Sequence, residues 1–315
     1  MDEQALGGPR GAGALTGLRI DERRGPAWAE RLRYVARLLW RDKSGLLGLA
    51  LFGLVVAGAA FSPQLALHDP TDQNLRVSKQ PPAWAAEGSW EYPLGTDNLG
   101  RDIFSRIVYG SRVSLTVGFF GVLIAGGLGL VIGLIAGYAG GRVDGLIMTV
   151  INVVLALPYL LFVVFVAGVL GRSLLNVILI FGITDSPIFA RITRGEVLRI
   201  RESGYVESAV SIGAKPGRIL FQHILPNLIG PLITVATFEM SAMIVYEAGL
   251  SFLGLSVQPS VPSWGNMLEA GRKYLTTSPW IATFPGVAIM FGSLGMNLMV
   301  DWLRDVLDPR LRRRR

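Results

Sequence analysis

Six long apolar stretches constrain this chain more than anything else in it. They cover residues 46–67, 113–138, 146–170, 174–192, 228–255 and 280–302. Each reaches or approaches the ~20 residues a helix needs to cross a ~30 Å hydrocarbon layer. Lipid offers no hydrogen-bond partner to a bare backbone, so spans of this kind must be helical. The sequence therefore predicts an all-α integral membrane protein with six transmembrane helices. Composition agrees: 51% of the 315 residues are hydrophobic and 17% are charged, where a soluble domain carries about 25% charge. There is no cysteine, which removes disulfides, thiol catalysis and Cys-held metal sites. The two histidines, His68 and His223, lie far apart and argue against a His-built metal site.

A formal charge of +7 on its own suits nucleic acid or an anionic membrane surface. Position decides between them. With the N-terminus inside, segments 1–45, 139–145, 193–227 and 303–315, with Arg191 at a span edge, hold 22 of the 30 Lys and Arg. The outer segments 68–112, 171–173 and 256–279 hold 8. This is the positive-inside bias. It predicts a multi-pass protein of a bacterial or archaeal cytoplasmic (inner) membrane, both termini cytoplasmic, with no nucleic acid as partner. The tail residues Arg310, Arg312, Arg313, Arg314 and Arg315 suit contact with anionic membrane lipid. The run 46–60 ends in small residues that mimic a cleavage site. The 45 residues before it make too long a leader, so an uncleaved first span is expected.

The chain divides accordingly. Residues 1–26, rich in Gly, Ala and Arg, are expected to be disordered. Residues 27–45 read as a basic amphipathic helix on the inner leaflet, with Trp28, Leu32, Val35 and Leu39 at helical spacing. The first span (46–67), an outer loop (68–112), five further spans (113–308) and a basic tail (309–315) follow. In the second span Gly121, Ala125, Gly129, Gly133, Gly137 and Gly141 recur every four residues. Such a ridge has almost no side chain and lets another helix approach closely. Gly129, Gly133 and Gly137 are therefore read as helix-packing positions. Pro158, Pro187 and Pro285 interrupt spans 3, 4 and 6, and each is expected to bend or end its helix.

Little in the chain suggests catalysis. There is no Gly-rich loop of the Walker type for ATP. An intramembrane protease needs Ser with His, paired Asp or a His/Glu metal cluster, and neither histidine falls in a span. Three acids lie well inside spans, Asp185, Glu239 and Glu247, with Asp301 at the very end of the last. A carboxylate at the bilayer centre is expensive and normally faces the bundle interior or a watery path. Glu239 and Glu247 are separated by about 80° around one helix and can look toward a common region. The three are candidates for a translocation path. The structural alternative is that Asp185 neutralises Arg191 or Arg194, and that Glu247 caps a discontinuous helix end.

Segment 193–227 reads TRGEVLRIRESGYVESAVSIGAKPGRILFQHILPN. It is polar and punctuated by Gly204, Gly213, Pro216, Gly217 and Pro226, which suggests two short helices below the membrane. A bare connection does not need so much organised sequence, but a docking element for a cytoplasmic partner does.

Specific resemblances begin in this segment. Glu207, Ser208 and Ala209, then Gly213, then Leu225 and Pro226 resemble the E-A-A, G, I-x-L-P signature of ABC-importer permeases. Ser208 replaces the middle Ala, and His223 stands at the Ile position. The outer string Pro93-Leu94-Gly95-Thr96-Asp97-Asn98-Leu99-Gly100-Arg101-Asp102, the string 250–255 (LSFLGL), the string 262–268 (PSWGNML) and the string 308–312 (DPRLR) are similar to motifs of one branch. On these motifs the chain resembles the dipeptide/oligopeptide (or nickel) ABC-transporter permeases, C-type subunit, from about residue 30 to 312.

The resemblance implies a type I ABC-importer-like fold, with 113–308 as the permease domain and 193–227 as the loop carrying a coupling helix. It implies a second related permease in a heterodimer, two ATPase subunits that use ATP and Mg, and an extracytoplasmic solute-binding protein, with peptide in transit and no cofactor on this chain. It assigns Tyr205, Glu207, Ala209, Gly213, Ala214, Leu225 and Pro226 to ATPase coupling. Gly95, Thr96, Asp97, Gly100, Arg101 and Asp102 then meet the binding protein or seal the outer mouth, ordinary turn chemistry being the alternative. ATP binding would close the ATPases, and the coupling helix would carry that motion into the bundle. Nickel or another small solute is the alternative cargo. A stand-alone secondary transporter is the alternative class, though it leaves the organised 193–227 segment unexplained.

Overall fold

The computed structural model describes residues 42–307, with side chains through Trp302. The expected leader 1–26, most of the amphipathic helix 27–45 and the tail 309–315 lie outside the described residues. Ten helices follow in order: α1 Lys43–Ala60, α2 Ser62–Leu65, α3 Ile103–Ala139, α4 Gly141–Ala156, α5 Tyr159–Leu170, α6 Leu174–Arg201, α7 Gly204–Ser211, α8 Pro216–Phe252, α9 Trp264–Arg272 and α10 Trp280–Leu307. Among the described residues the β-structure is one isolated bridge, Thr96 with Asp102. Five helices (α1, α3, α6, α8 and α10) are long and apolar enough to cross a membrane, and α4 with α5, bent by 91°, reach that length together as one broken span or a re-entrant loop.

Helix boundaries depart from the apolar windows for identifiable reasons. The second span starts at Ile103 rather than 113, because Asp102 caps it by accepting from the amides of Phe104 and Ser105 at 3.3 and 3.0 Å. The hydropathy window misses these turns because they carry Ser105, Arg106, Ser111 and Arg112. At the third span, Leu157 and Pro158 are extended, with ψ of 138° and 114°. Proline lacks an N–H and disfavours a helical predecessor, so α4 and α5 meet at 91°. Pro187 and Pro285 instead lie inside α6 and α10, and the helices continue through them. At Pro187 the carbonyl left without its amide, that of Ile183, accepts from the Ser186 hydroxyl at 2.8 Å. Segment 193–227 holds one short separate helix rather than two. α6 runs on to Arg201, α7 occupies the turn, and α8 begins at Pro216, passing through a π-helical stretch, Ile219–Ile224, before the regular Leu225–Phe252.

The centre of the bundle is the contact of α3 with α6. A Cβ on Gly133 would lie 2.5 Å from the Ala190 carbonyl and from the Thr193 Cβ; on Gly137, 2.8 Å from the Val197 Cβ; on Gly129, 2.7 Å from the Ser186 carbonyl. The facing residues on α6, Ser186, Ala190, Thr193 and Val197, also step by three or four, so two ridges interlock. The ridge ends at Gly137. Gly140 and Gly141 form the turn into α4 with φ of +66° and +54°, and nothing lies within 4 Å of a Cβ on Gly141. Phe181, Phe189, Val117 and Met243 fill the core beside this contact. α1 and α10 repeat the device: a Cβ on Gly48 would meet the Leu298 Cβ at 2.7 Å, and one on Gly295 the Phe52 amide nitrogen at 2.7 Å.

Gly133→Val should force α3 away from α6, at a cost of about 1–3 kcal/mol or more. Gly127→Val, on an exposed face with nothing within 4 Å, should not. Thermal unfolding of the detergent-held protein tests this; equal midpoints for the two variants would refute the packing role.

Candidate functional site

Three groups of residues deserve construction in turn, one at each end of the bundle and one inside it. At the end holding α7, the helix is anchored by Val206, which packs with Val197, Ile200, Ile219, Ile224 and Leu228; Ala209 is buried as well. Its C-terminus is closed by backbone alone. Gly213 N–H donates to the Val210 carbonyl at 2.9 Å and Ala214 N–H to the Ala209 carbonyl at 3.0 Å, the paired bonds of a Schellman cap. Gly213 has φ of +83° with nothing within 4 Å of a Cβ, so conformation rather than crowding demands glycine there. Tyr205 reaches the start of α8, where Asn227 Nδ2 lies 3.5 Å from its hydroxyl and the His223 ring 6.2 Å from its own. Leu225 is half-buried and Pro226 exposed in the first α-turns of that helix. The Glu207 carboxylate is exposed, with no hydrogen bond or ion pair among the described residues. The exposed surface of α7 and its C-cap mixes Ser208 and Ser211 with three larger side chains, Tyr205 49%, Val210 56% and Ile212 86% exposed.

Next to α7, a cleft of about 940 Å³ opens between α6, α8 and α10, with Glu196, Arg199, Asn227, Glu239 and Asp301 among its walls. Arg199 donates to Glu196 from Nε at 2.9 Å. Deeper in the bundle a second cleft, of about 270 Å³, is lined by Asp185, Glu239, Tyr159 and Tyr246. Glu239 lines both. Asp185 does not neutralise the nearby arginines: Arg191 donates to Asn152 at 2.8 Å, and Arg194 makes a bidentate pair with Asp144 at 2.5 and 2.6 Å. Glu247 does not share the cleft. It is fully buried on the far half of α8, where Ser251 and Ser256 donate to it at 2.8 and 3.1 Å. It thereby ties the end of α8 to the turn that follows.

At the opposite end, the segment 93–102 turns its polar side chains inward. Thr96, Asp97, Arg101 and Asp102 are all buried. Gly95 and Gly100 adopt φ of +78° and +74°, and a Cβ on Gly95 would press on the Gln80 carbonyl at 2.5 Å. Asp97 accepts from the amides of Leu99 and Arg101 at 2.8 and 3.1 Å and from Arg101 Nε at 2.7 Å. Thr96 receives the Gln80 amide at 2.9 Å and donates to the Val77 carbonyl. Asp102 accepts from the Ser105 hydroxyl at 2.5 Å, and Ser105 in turn receives the amides of Leu67 and His68. Arg106, buried to 2%, reaches the Pro70 carbonyl at 2.9 Å. The residues expected to meet a binding protein are thus placed inside the loop, knitting it to the head of α3. Nearby, in the exposed stretch before it, Thr71 donates to Asp69 from hydroxyl and amide and holds that carboxyl below its usual range. Burial pushes the Tyr92 phenol up.

Residues 129–313 match the family described as binding-protein-dependent transport system inner membrane component. The chain belongs to this family. Residues 31–82 also match the N-terminal transmembrane domain of oligopeptide transport permease C. Over 271 residues the chain is 40% identical to the di/tripeptide transport system permease protein DppC of Pseudomonas aeruginosa, covering 86% of this chain and 89% of that one. It is 40% identical over 280 residues to the dipeptide transport system permease protein DppC of Alkalihalophilus pseudofirmus, covering 89% and 90%. A solved inward-facing form of the MetNI methionine ABC transporter has a similar fold, with TM-score 0.53 and 17% identity over 64% of this chain and 96% of that one. Family and fold make this chain a multi-pass permease subunit of an ABC importer.

For a permease of this family, some structurally prominent residues gave no sequence signal. Tyr159 is marked only by its place after Pro158. The Asp144–Arg194 pair spans 50 positions and has no local pattern. Trp264, inside the string 262–268, proves to be a keystone: its Nε1 donates to the Ile107 carbonyl at 2.8 Å, and Gly110 and Gly292 make room for its ring.

Replacing Asp102 by Ala should remove the α3 cap and the anchor of Ser105, costing about 1–2 kcal/mol. Amide hydrogen exchange at Leu67, His68, Phe104 and Ser105 should accelerate together. Unchanged exchange at all four would contradict this account of the motif.

Proposed function

We propose that this chain is one of two related permease subunits in an ATP-driven importer of di- and oligopeptides. Both termini and α7 face the cytoplasm, where two ATPase subunits bind nucleotide and Mg. An extracytoplasmic binding protein delivers the peptide to the opposite face. The chain carries no nucleotide site of its own and no cofactor. Relatives named for dipeptide transport, similar over most of their length, support the cargo. The inner placement of α7 follows the positive-inside bias of the segments beside it.

The observation that carries the coupling role is the outer face of α7. Tyr205 and Ile212, seven residues and two turns apart, lie exposed along one side of α7 and its C-cap, and Val210 is exposed on another side. Large apolar side chains left uncovered on so short an element suit a partner's surface. Val206 packs the helix against α6 and the start of α8, so a push on α7 is delivered to two spanning helices rather than absorbed in a loose loop. Glu207 stands on the exposed side as a polar contact for the partner. The 940 Å³ cleft between α6, α8 and α10 is the inner part of the path, completed by the second permease. The buried segment 93–102 holds the outer loop in shape, and the exposed Trp90 on that loop is available to the binding protein.

Ile212→Asp should leave insertion and pairing of the permeases intact, yet weaken ATPase capture and abolish dialanine uptake by the reconstituted importer. Gly213→Ala should cost the cap about 1 kcal/mol and reduce uptake partially. Gly217→Ala, at a helical position with open space around it, should be silent. Uptake of dialanine by this subunit alone in vesicles would overturn the reading. Nickel uptake without dialanine uptake would overturn the cargo.

A further inference from the structure

We propose that the small cleft between α4, α5, α6 and α8 is a binding site for a monovalent cation, with Asp185 and Glu239 as its ligands. The occupant is the protonated amino group of the solute in passage. This rests on the importer reading above and gives it a site at which the cargo is held within the membrane.

Asp185 is 1% exposed, and neither of its carboxylate oxygens has a hydrogen-bond partner among the described residues. A carboxylate buried in that state is among the costliest groups a bundle can hold. It sits eleven residues into α6, roughly 17 Å from the start of the helix, near the middle of the span. The carboxylate lines the cleft, and Glu239, 7% exposed, lines it from α8. No Lys, Arg or His is among the lining residues. The two arginines next along α6 are taken by Asn152 and by Asp144. Two acids therefore share one cleft without a counter-charge from the described residues.

The rest of the wall suits a small cation. Tyr159 and Tyr246 lie with ring centroids 4.7 Å apart, and aromatic faces attract ammonium groups. The Tyr159 hydroxyl is buried beside Asp185 and Thr184, and its oxygen can accept from a bound N–H. The Thr184 hydroxyl is already committed to the Ile180 carbonyl at 2.8 Å and does not compete for the acids. Glu239 also lines the larger cleft beside α7. Glu239 thus borders both the cation site and the larger cleft toward that end of the bundle. The shared chemistry of the site is a monovalent cation, and an alkali ion is its other possible source.

Carbodiimide modification of Asp185 and Glu239 tests this in the assembled importer, with both permeases and both ATPases in nanodiscs. The readout is peptide mass spectrometry in methylammonium, potassium or N-methyl-D-glucamine chloride. Methylammonium should slow modification about tenfold relative to N-methyl-D-glucamine, the scale of one charge-assisted contact. Protection by methylammonium over potassium assigns the site to the amino group of the solute. Protection by potassium alone keeps the cation site and overturns the amino-group assignment. Equal modification in all three salts, or complete protection in all three, overturns the proposal; the second result would mean that a side chain of the other permease fills the cleft. Asp185→Asn should slow dialanine uptake about tenfold while binding-protein-stimulated ATP hydrolysis persists. If that variant does not assemble, Glu239→Gln is scored in the same way, and unchanged uptake overturns the proposal. A wild-type importer that takes up no dialanine would refute the peptide reading but leave the modification result standing.

Discussion

Everything in this bundle depends on how closely α3 can approach α6. Helices in lipid gain nothing from hiding apolar side chains from one another, because the solvent is itself apolar. Backbone proximity and dispersion have to supply the attraction. Gly129, Gly133 and Gly137 remove the side chains that would stand in the way, and Ser186, Ala190, Thr193 and Val197 fill the groove from the other side. The contact runs along the helices, so it fixes the rotation of α6 as well as its distance. That rotation turns Asp185 into the cleft shared with α8 and carries Arg201 to the base of α7.

Polar groups inside the membrane are handled in two different ways. Glu247 is held locally through one oxygen, Oε1, by Ser251 and Ser256, while its Oε2 is buried without a partner among the described residues; those two bonds fasten the end of α8. Asp185 and Glu239 face open space instead. Acids placed there cost more than apolar residues would. The same contrast appears at the ends of the bundle. In the 93–102 segment every charged side chain is turned inward and partnered. On α7 Val206 and Ala209 are turned inward, while Tyr205, Val210 and the cap residue Ile212 stay exposed.

Much of the architecture could be read from residues. The glycine steps identified the packing ridge, although they could not show that Gly141 leaves it for a turn. Pro158 and Pro187 carry the same local signal, yet one breaks a span by 91° and the other is absorbed into α6. The difference lies in the neighbours: Ser186 supplies a hydroxyl to the carbonyl orphaned by Pro187, while Leu157 and Pro158 stay extended. Glu239 and Glu247 looked like members of one region because their helical angle is similar. Eight residues also separate them by about 12 Å along the axis, and angle alone cannot register that.

Alone, the amino-acid sequence determined the class of protein, the number of apolar segments, the bias of basic residues that orients them and the motifs that place the chain in its family. These are properties of composition, period and order, and they survive without any knowledge of contacts. Tertiary structure decided which acids meet, which arginines are already paired and which loop residues face inward. Those outcomes depend on groups brought together from distant positions, such as Asp144 with Arg194, Trp264 with Ile107 and Asp185 with Glu239. No local pattern encodes such a meeting, because the partner is chosen by how two helices pack and not by what stands beside it in the chain.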